Sequence, residues 1–285
     1  MAPKIILGRR NFIEFPGVTF TPGGAAWPQP LTNLADIRPQ FVAEAASNAA
    51  SNTLFTVDLL TPRIVGAFSF LNLRMSSVGT IRVQASLTNG GTILYDTTVV
   101  KGWPQDTTPG GVNPWGITTA DGTYNAEFYL ALGNPRIFVP PAPVTVQFIY
   151  VTISDETLVS PLQIGCMGAW EIWQPPRNLS YGWAPKIYDL SDVREVPGGS
   201  TYRTRRVRKR GIDFGFKLLN QEEFFARGFD YALTRGRVET CLVVPFPDDT
   251  PNIEKVSVWG LMSSEGQFSN EFFAEYQTTF SVRSL

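Results

Sequence analysis

Across most of the chain polar and apolar residues alternate with a period of two, the pattern of half-buried strands. In TIRVQASL (80–87), Ile81, Val83, Ala85 and Leu87 fall on one face. In VTVQFIYVTIS (144–154), Val144, Val146, Phe148, Tyr150 and Thr152 do the same. LFTVDLL (54–60), IVGAFSFLNL (64–73) after a Thr-Pro turn, TILYDTTVV (92–100) after Asn-Gly-Gly, AEFYLAL and LQIGCMGAWEIW complete a series of short strands separated by turn residues. This spacing predicts an all-β sandwich over residues 1–172.

The pattern changes at WQPPRNLSYGWAP (173–185), which is dense in Pro, Gly and Trp and reads as the entry to a second domain, 173–285. There IDFGFKLL (212–219) predicts a strand with Ile212, Phe214, Phe216 and Leu218 on one face. Asn220 followed by Glu223 is a capping box, so a helix is expected over about 221–233, with Phe225, Phe229, Ala232 and Leu233 as its apolar face. Strands are expected at about 239–246, 254–262 and 271–283. The second half therefore reads as a small β-sandwich or barrel with one flanking helix.

Composition narrows the chemistry. The 285 residues include no histidine, which removes the commonest general base and the commonest metal ligand. Two distant cysteines, Cys166 and Cys241, cannot build a zinc site alone; their apolar surroundings read as buried thiols, with a disulfide between them left open by the sequence. No phosphate-binding, dinucleotide or calcium-loop motif is present, and no pair of carboxylates stands at a spacing that nominates an acid and a base. No apolar run reaches the ~18 residues needed to span a bilayer. The expectation is a non-enzymatic protein with no cofactor, no metal and no membrane span, matured in a cytosol.

Charge is distributed unevenly on a small scale only. Net charge is −1, with −2 in residues 1–175 and +1 in 176–285, yet Arg203, Arg205, Arg206, Arg208, Lys209 and Arg210 lie within eight positions. Continued backwards by twos, the core face of Ile212 and Phe214 arrives at Arg210, Arg208 and Arg206, and charges cannot occupy an inner face without partners. The strand is therefore expected to leave the core near Gly211 and project as a hairpin arm after the Gly-Gly turn at 198–199. A solvated hairpin, a contact with another subunit and nucleic-acid binding all remain readings of it. Nucleic-acid recognition is disfavoured, because it calls for a wider basic field and a stacking platform, and Tyr202 is the arm's single aromatic.

Two stretches resemble known families. Asp58-Leu59, Thr61-Pro62-Arg63, Asn72-Leu73, Ile81-Arg82-Val83 and the strand leading to Asp155 resemble the discoidin-like (galactose-binding-like) jelly roll over about residues 30–175, although Leu60 stands where that family more usually has Gly. Trp173-Gln174-Pro175, Asn178, Tyr181-Gly182-Trp183, Asp189-Leu190-Ser191, Gly198-Gly199, the arginine run and the strand–helix order resemble tailed-bacteriophage distal-tail and tail-tube proteins over 173–285. The second resemblance implies a structural virion protein of a tail tip or baseplate, assembled in the host cytoplasm. It implies a ring, commonly sixfold, joining the tail tube and the tape measure and hub proteins, with the arm at 203–210 as the subunit contact. The first implies a different function, a carbohydrate-binding module contacting a host-surface glycan through loops. Trp27, Asn33, Asp36, Arg38, Trp103 and Trp115 are the candidate ligand residues, with loop packing as the competing use of the tryptophans.

Overall fold

The structure is a computed structural model. It describes residues 4–103, 133, 135–176, 178–180, 182–195, 201–204, 208–235, 237–249, 252–272 and 275–285. Its first strands are β1 (Ile6–Asn11), β2 (Thr19–Pro22), β3 (Ala43–Glu44), β4 (Phe55–Val65), β5 (Ala67–Leu71), β6 (Thr80–Ser86), β7 (Ile93–Asp96) and β8 (Val100–Lys101). Next come β9 (Arg136–Phe138), β10 (Val144–Ser154), β11 (Gln163–Ile164) and β12 (Cys166–Trp173). The rest are β13 (Ala184–Tyr188), β14 (Asp192–Glu195), β15 (Thr201–Thr204), β16 (Lys209–Leu219), β17 (Thr240–Val244), β18 (Val258–Phe272) and β19 (Glu275–Ser284). The chain is mainly β, as the alternation predicts.

The front sheet runs β2-β4-β10-β6-β7, with β8 added beside β6. It packs against β12 and β5 of a second sheet, burying Phe55, Val57, Ile149, Val151 and Val83 against Phe68, Phe70, Met167 and Ala169. That second sheet does not stop at the edge of the sandwich. Its order is β13-β16-β19-β18-β17-β1-β12-β5-β9, nine strands in one ladder. The join is β1, which pairs antiparallel with β12 on one side and with β17 on the other. Beyond β17 the sheet curls around a second core containing Ile5, Leu7, Trp173, Phe214, Phe216 and Phe280.

Bulges account for the departures from simple alternation. In β6 the expected face is buried through Ile81, Val83 and Ala85, and Leu87 falls beyond the strand and is exposed. In β10 the buried set begins with Val146 and then switches to Ile149, Val151 and Ile153, leaving Phe148, Tyr150 and Thr152 half-buried on the other side. A register shift between Val146 and Phe148 causes the switch, because one extra residue turns every following side chain over. The partner strand β4 absorbs the same irregularity, so the expected turn at Thr61-Pro62 is instead a kink within a continuous strand. Leu60 there has φ 67°, the left-handed region that favours glycine. AEFYLAL and most of the long loop after Lys101 lie outside the described residues.

The helix begins where the capping residues place it. Asn220 Oδ1 accepts the Glu223 backbone N–H at 2.8 Å. One α-helical turn, Gln221–Glu223, leads into a π-helical segment, Phe224–Phe229, and then α-helix again over Asp230–Arg235. The buried face differs from the expected one. Phe224 and Tyr231 enter the core beside Trp173 and Phe280, with Ala232 partly covered, whereas Phe225, Phe229 and Leu233 are exposed. Two apolar stripes lie side by side on this helix. Gly228, which adds nothing to a hydrophobicity count, sits in the stripe that packs, beside Trp173 and Thr278.

Candidate functional site

The arginine-rich segment is a projecting ribbon at its start and a structural strand at its end. β14 and β15 form a separate two-stranded ribbon in which Val193 faces Arg203 and Arg194 faces Tyr202. Directly paired residues share a face, so each face carries one apolar and one arginine side chain. Val193 is 61% exposed and Tyr202 66%. The Arg194 guanidinium binds Asp192 at 2.7 Å on the same face. Arg205 and Arg206 lie outside the described residues.

Arg208, Lys209 and Arg210 behave differently from Arg203. Arg208 Nε donates to Asp189 Oδ2 at 3.1 Å, tying the two legs of the ribbon together at its root. Hydrogen bonds from Ser191, with the Arg208 contact, hold the Asp189 carboxyl down at about 2. Lys209 and Arg210 already belong to β16, opposite Tyr188 and Ile187. Arg210 Nη1 donates to the carbonyls of Glu254 and Lys255 at 2.8 and 3.0 Å, closing the last turn of the short helix Ile253–Val256. The expected exit from the core near Gly211 therefore falls two residues earlier, before Lys209. Arg210 is accommodated there because helix-end carbonyls receive it.

The candidate ligand residues of the jelly roll divide. Trp27 is 7% exposed and packs edge-on to Phe55 at 5.6 Å, so its ring is a core ring with no face open to a ligand. Trp103 is half-buried against the sandwich core and donates its indole N–H to the Met75 carbonyl at 2.8 Å. Both tryptophans thus pack loops. Trp115 lies outside the described residues. Asn33, Asp36 and Arg38 do come together in one loop. Asn33 Nδ2 donates to the Val42 carbonyl, and Arg38 grips Asp36 with two hydrogen bonds of 2.8 and 2.5 Å. That pairing holds the Asp36 carboxyl below its ordinary range, and the Arg38 guanidinium lies 4.1 Å over the Phe41 ring. The loop is satisfied within itself.

A cleft that the sequence did not reveal lies over β16 and β19. It has a volume of about 400 Å³ and is lined by Trp183, Asp213, Lys217, Gln277 and Ser281 around Gly215. The Ser281 hydroxyl donates to Asp213 at 2.6 Å, and Lys186 also pairs with Asp213. Ser180, also in the lining, has a buried Oγ with no hydrogen-bond partner among the described residues. Hydroxyl, amide, carboxylate and ammonium groups beside an indole can hold a neutral, hydroxyl-rich molecule. The signal was hidden because these residues alternate with the core face of their strands and read simply as a solvated surface.

Both cysteines are buried, and neither forms a disulfide. Among the described residues no cluster of His, Cys, Asp or Glu could hold a metal ion, and no helix is long and apolar enough to cross a membrane.

No protein-family model and no curated protein matches the chain. Among solved structures it is similar to a carbohydrate-binding module, CBM32-1, of a family 31 glycoside hydrolase from Clostridium perfringens, at 13% identity and a TM-score of 0.35, covering 55% of this chain and 95% of that one. It is similar to the family 32 module of Clostridium perfringens NanJ in complex with galactose, at 14% identity and 0.36, covering 58% and 99%. A Streptococcus pneumoniae fucose binding module stands at 13% and 0.36, covering 57% and 95%. At this distance, function is read from the chain's own residues.

Proposed function

We propose that the chain is a non-enzymatic structural subunit that assembles with copies of itself through the β14–β15 ribbon. From the resemblance of residues 173–285 to tail proteins, we place that assembly in a bacteriophage tail tip, as a ring between tail tube and hub. The observation that carries the assembly reading is the ribbon itself. An isolated two-stranded ribbon is marginal in water, and this one has apolar side chains on both faces with no core to bury them. A surface on another molecule supplies what the chain does not. Arginines beside those apolar groups set register and partner choice more than raw affinity.

The test is the mass of the full chain in solution across concentration and salt. A closed oligomer of several copies that Tyr202→Ser with Arg203→Glu dissociates is the expected result. A monomer under all conditions overturns the assembly reading.

The cleft over β16 and β19 favours a second reading, carbohydrate binding. Its lining mixes an indole with neutral and paired charged groups and has no excess of one charge. Titration of the full chain with mono- and disaccharides, followed by Trp fluorescence, tests it. Trp183→Ala should abolish any saturable signal, and a flat titration with every sugar removes this reading.

A further inference from the structure

Charge in the cleft over β16 and β19 balances only on a first count. Asp213 and Lys217 are the two charged residues of its lining. They share one face of β16 with Gly215, alternating with the buried Phe214 and Phe216. Asp213 is already answered. Lys186, which stands outside the lining, pairs with it, and the Ser281 hydroxyl donates to it at 2.6 Å. Lys217 is exposed and has no ion-pair or hydrogen-bond partner among the described residues. One positive charge is therefore left uncompensated at the Lys217 end. The Ser180 hydroxyl, buried and unpartnered, lies between the two ends, because its backbone N–H donates to the Gly215 carbonyl at 2.9 Å.

We infer that the ligand of this cleft is an acidic saccharide, with its carboxylate at Lys217 and its hydroxyls over Gly215 towards Asp213 and Ser281. The inference rests on the carbohydrate reading and narrows it to a ligand class. An ammonium group has three donors and no acceptor, so it calls for an anionic, acceptor-rich partner. Asp213 is offset by Lys186 yet keeps lone pairs, so it suits a donating hydroxyl and would repel a second carboxylate. That difference fixes the direction in which the ligand lies. At ~3.3 Å per residue the two ends stand about 13 Å apart along the strand. Gly215 between them carries no side chain, so a ring can rest on the backbone beside the Trp183 indole. A volume of about 400 Å³ is at the small end of ligand cavities and suits one or two sugar rings. A simple anion would engage Lys217 and leave Ser180 and Asp213 unused.

The full chain is titrated calorimetrically at neutral pH with glucuronic acid, with glucuronamide as its uncharged counterpart, with glucose and with acetate. Glucuronate should bind at least ~5-fold more tightly than glucuronamide, the yield of one partly exposed charge pair. That preference should shrink as salt rises, disappear in Lys217→Gln and persist in Lys217→Arg. Equal affinity for the acid and its amide, or a preference that survives Lys217→Gln, overturns the acidic ligand and leaves the carbohydrate reading standing. Acetate that displaces glucuronate at equal concentration reduces the cleft to a simple anion contact and overturns it as well. No saturable binding of any sugar removes this inference and the carbohydrate reading together.

Discussion

Replacing Gly8 by alanine tests the seam on which the nine-stranded sheet depends. Gly8 lies in β1 opposite Ile172 of β12 and Leu242 of β17. A methyl group there would lie 2.7 Å from Trp170 Cε3 and 2.8 Å from Leu242 Cβ. Neither neighbour can yield cheaply. Leu242 Cβ is fixed to its own strand. Trp170 is fully buried, stands edge-on to Trp259 at 5.3 Å and donates its indole N–H to Ser69 Oγ at 2.7 Å. Forcing one extra carbon into such a site costs about 1–3 kcal/mol. Displacing the indole hydrogen bond adds about 1 kcal/mol. Restricting the unfolded chain returns about 0.4–1 kcal/mol. The net loss is about 2 kcal/mol, or a midpoint lower by several degrees. Urea and thermal unfolding followed by tryptophan fluorescence measure it directly. Unchanged or increased stability would refute close packing at β1, and with it the physical join between the two cores.

Three other outcomes follow from single sites. Leu60→Gly should stabilise the chain by about 1 kcal/mol in urea unfolding, because it relieves left-handed strain at a half-exposed side chain. Glu254 is fully buried and pairs with Arg136 Nη1 at 2.6 Å, while its other carboxylate oxygen has no partner among the described residues. Glu254→Ala should cost about 3 kcal/mol by stranding Arg136, and Glu254→Gln should cost less, since an acceptor remains. Burial raises the Glu254 carboxyl above its ordinary 4.5, against the pull of Arg136. The native chain then binds more protons than the unfolded chain just above that value, so this site's contribution falls as pH rises there. Glu254→Gln should flatten that slope in unfolding measured between pH 4 and 8. Burial pushes the Cys166 thiol up to about 12, so a thiol reagent at pH 8 should label it only after denaturation.

Alternation along β6, the capping residues of the helix and the paired legs of the arm were legible because each depends on neighbours in sequence. Leu60, where the resembled jelly rolls more usually have glycine, was informative in another way, since it adopts a positive φ. What could not be read depends on contacts distant in sequence. A bulge in β10 is visible only against β4. The choice between two apolar stripes on the helix depends on which one meets Trp173 and Phe280. The role of Arg210 required the carbonyls of Glu254 and Lys255, about 45 residues away. Trp27 looked like a loop aromatic because nothing beside it in sequence shows that Phe55 receives its ring. The cleft escaped for the same reason, its lining being assembled from three separate segments.

The Pro- and Trp-rich stretch at 173–185, which reads as the entry to a second domain, does more than connect. Trp173, Leu179 and Trp183 pack into the second core. Asn178 Oδ1 accepts the Ile5 N–H at 3.2 Å, and the Ser180 N–H donates to the Gly215 carbonyl at 2.9 Å. Together with β1 these contacts fasten the sandwich to the sheet that carries the ribbon. A flexible tether would let the two halves act independently, whereas a shared ladder transmits orientation from one to the other. Copies joined through the ribbon would thus carry their sandwiches and their clefts in one fixed repeat. Weak single-site binding of a hydroxylated ligand would then be multiplied by the number of copies, provided that the ligand spans the repeat. Comparing the wild-type oligomer with the Tyr202→Ser, Arg203→Glu variant on a dense and a sparse glycan surface separates the two contributions. Retention that depends on both assembly and glycan density indicates a combined use. Retention by the assembly-deficient chain alone would assign the glycan contact to a single cleft, with no contribution from the repeat.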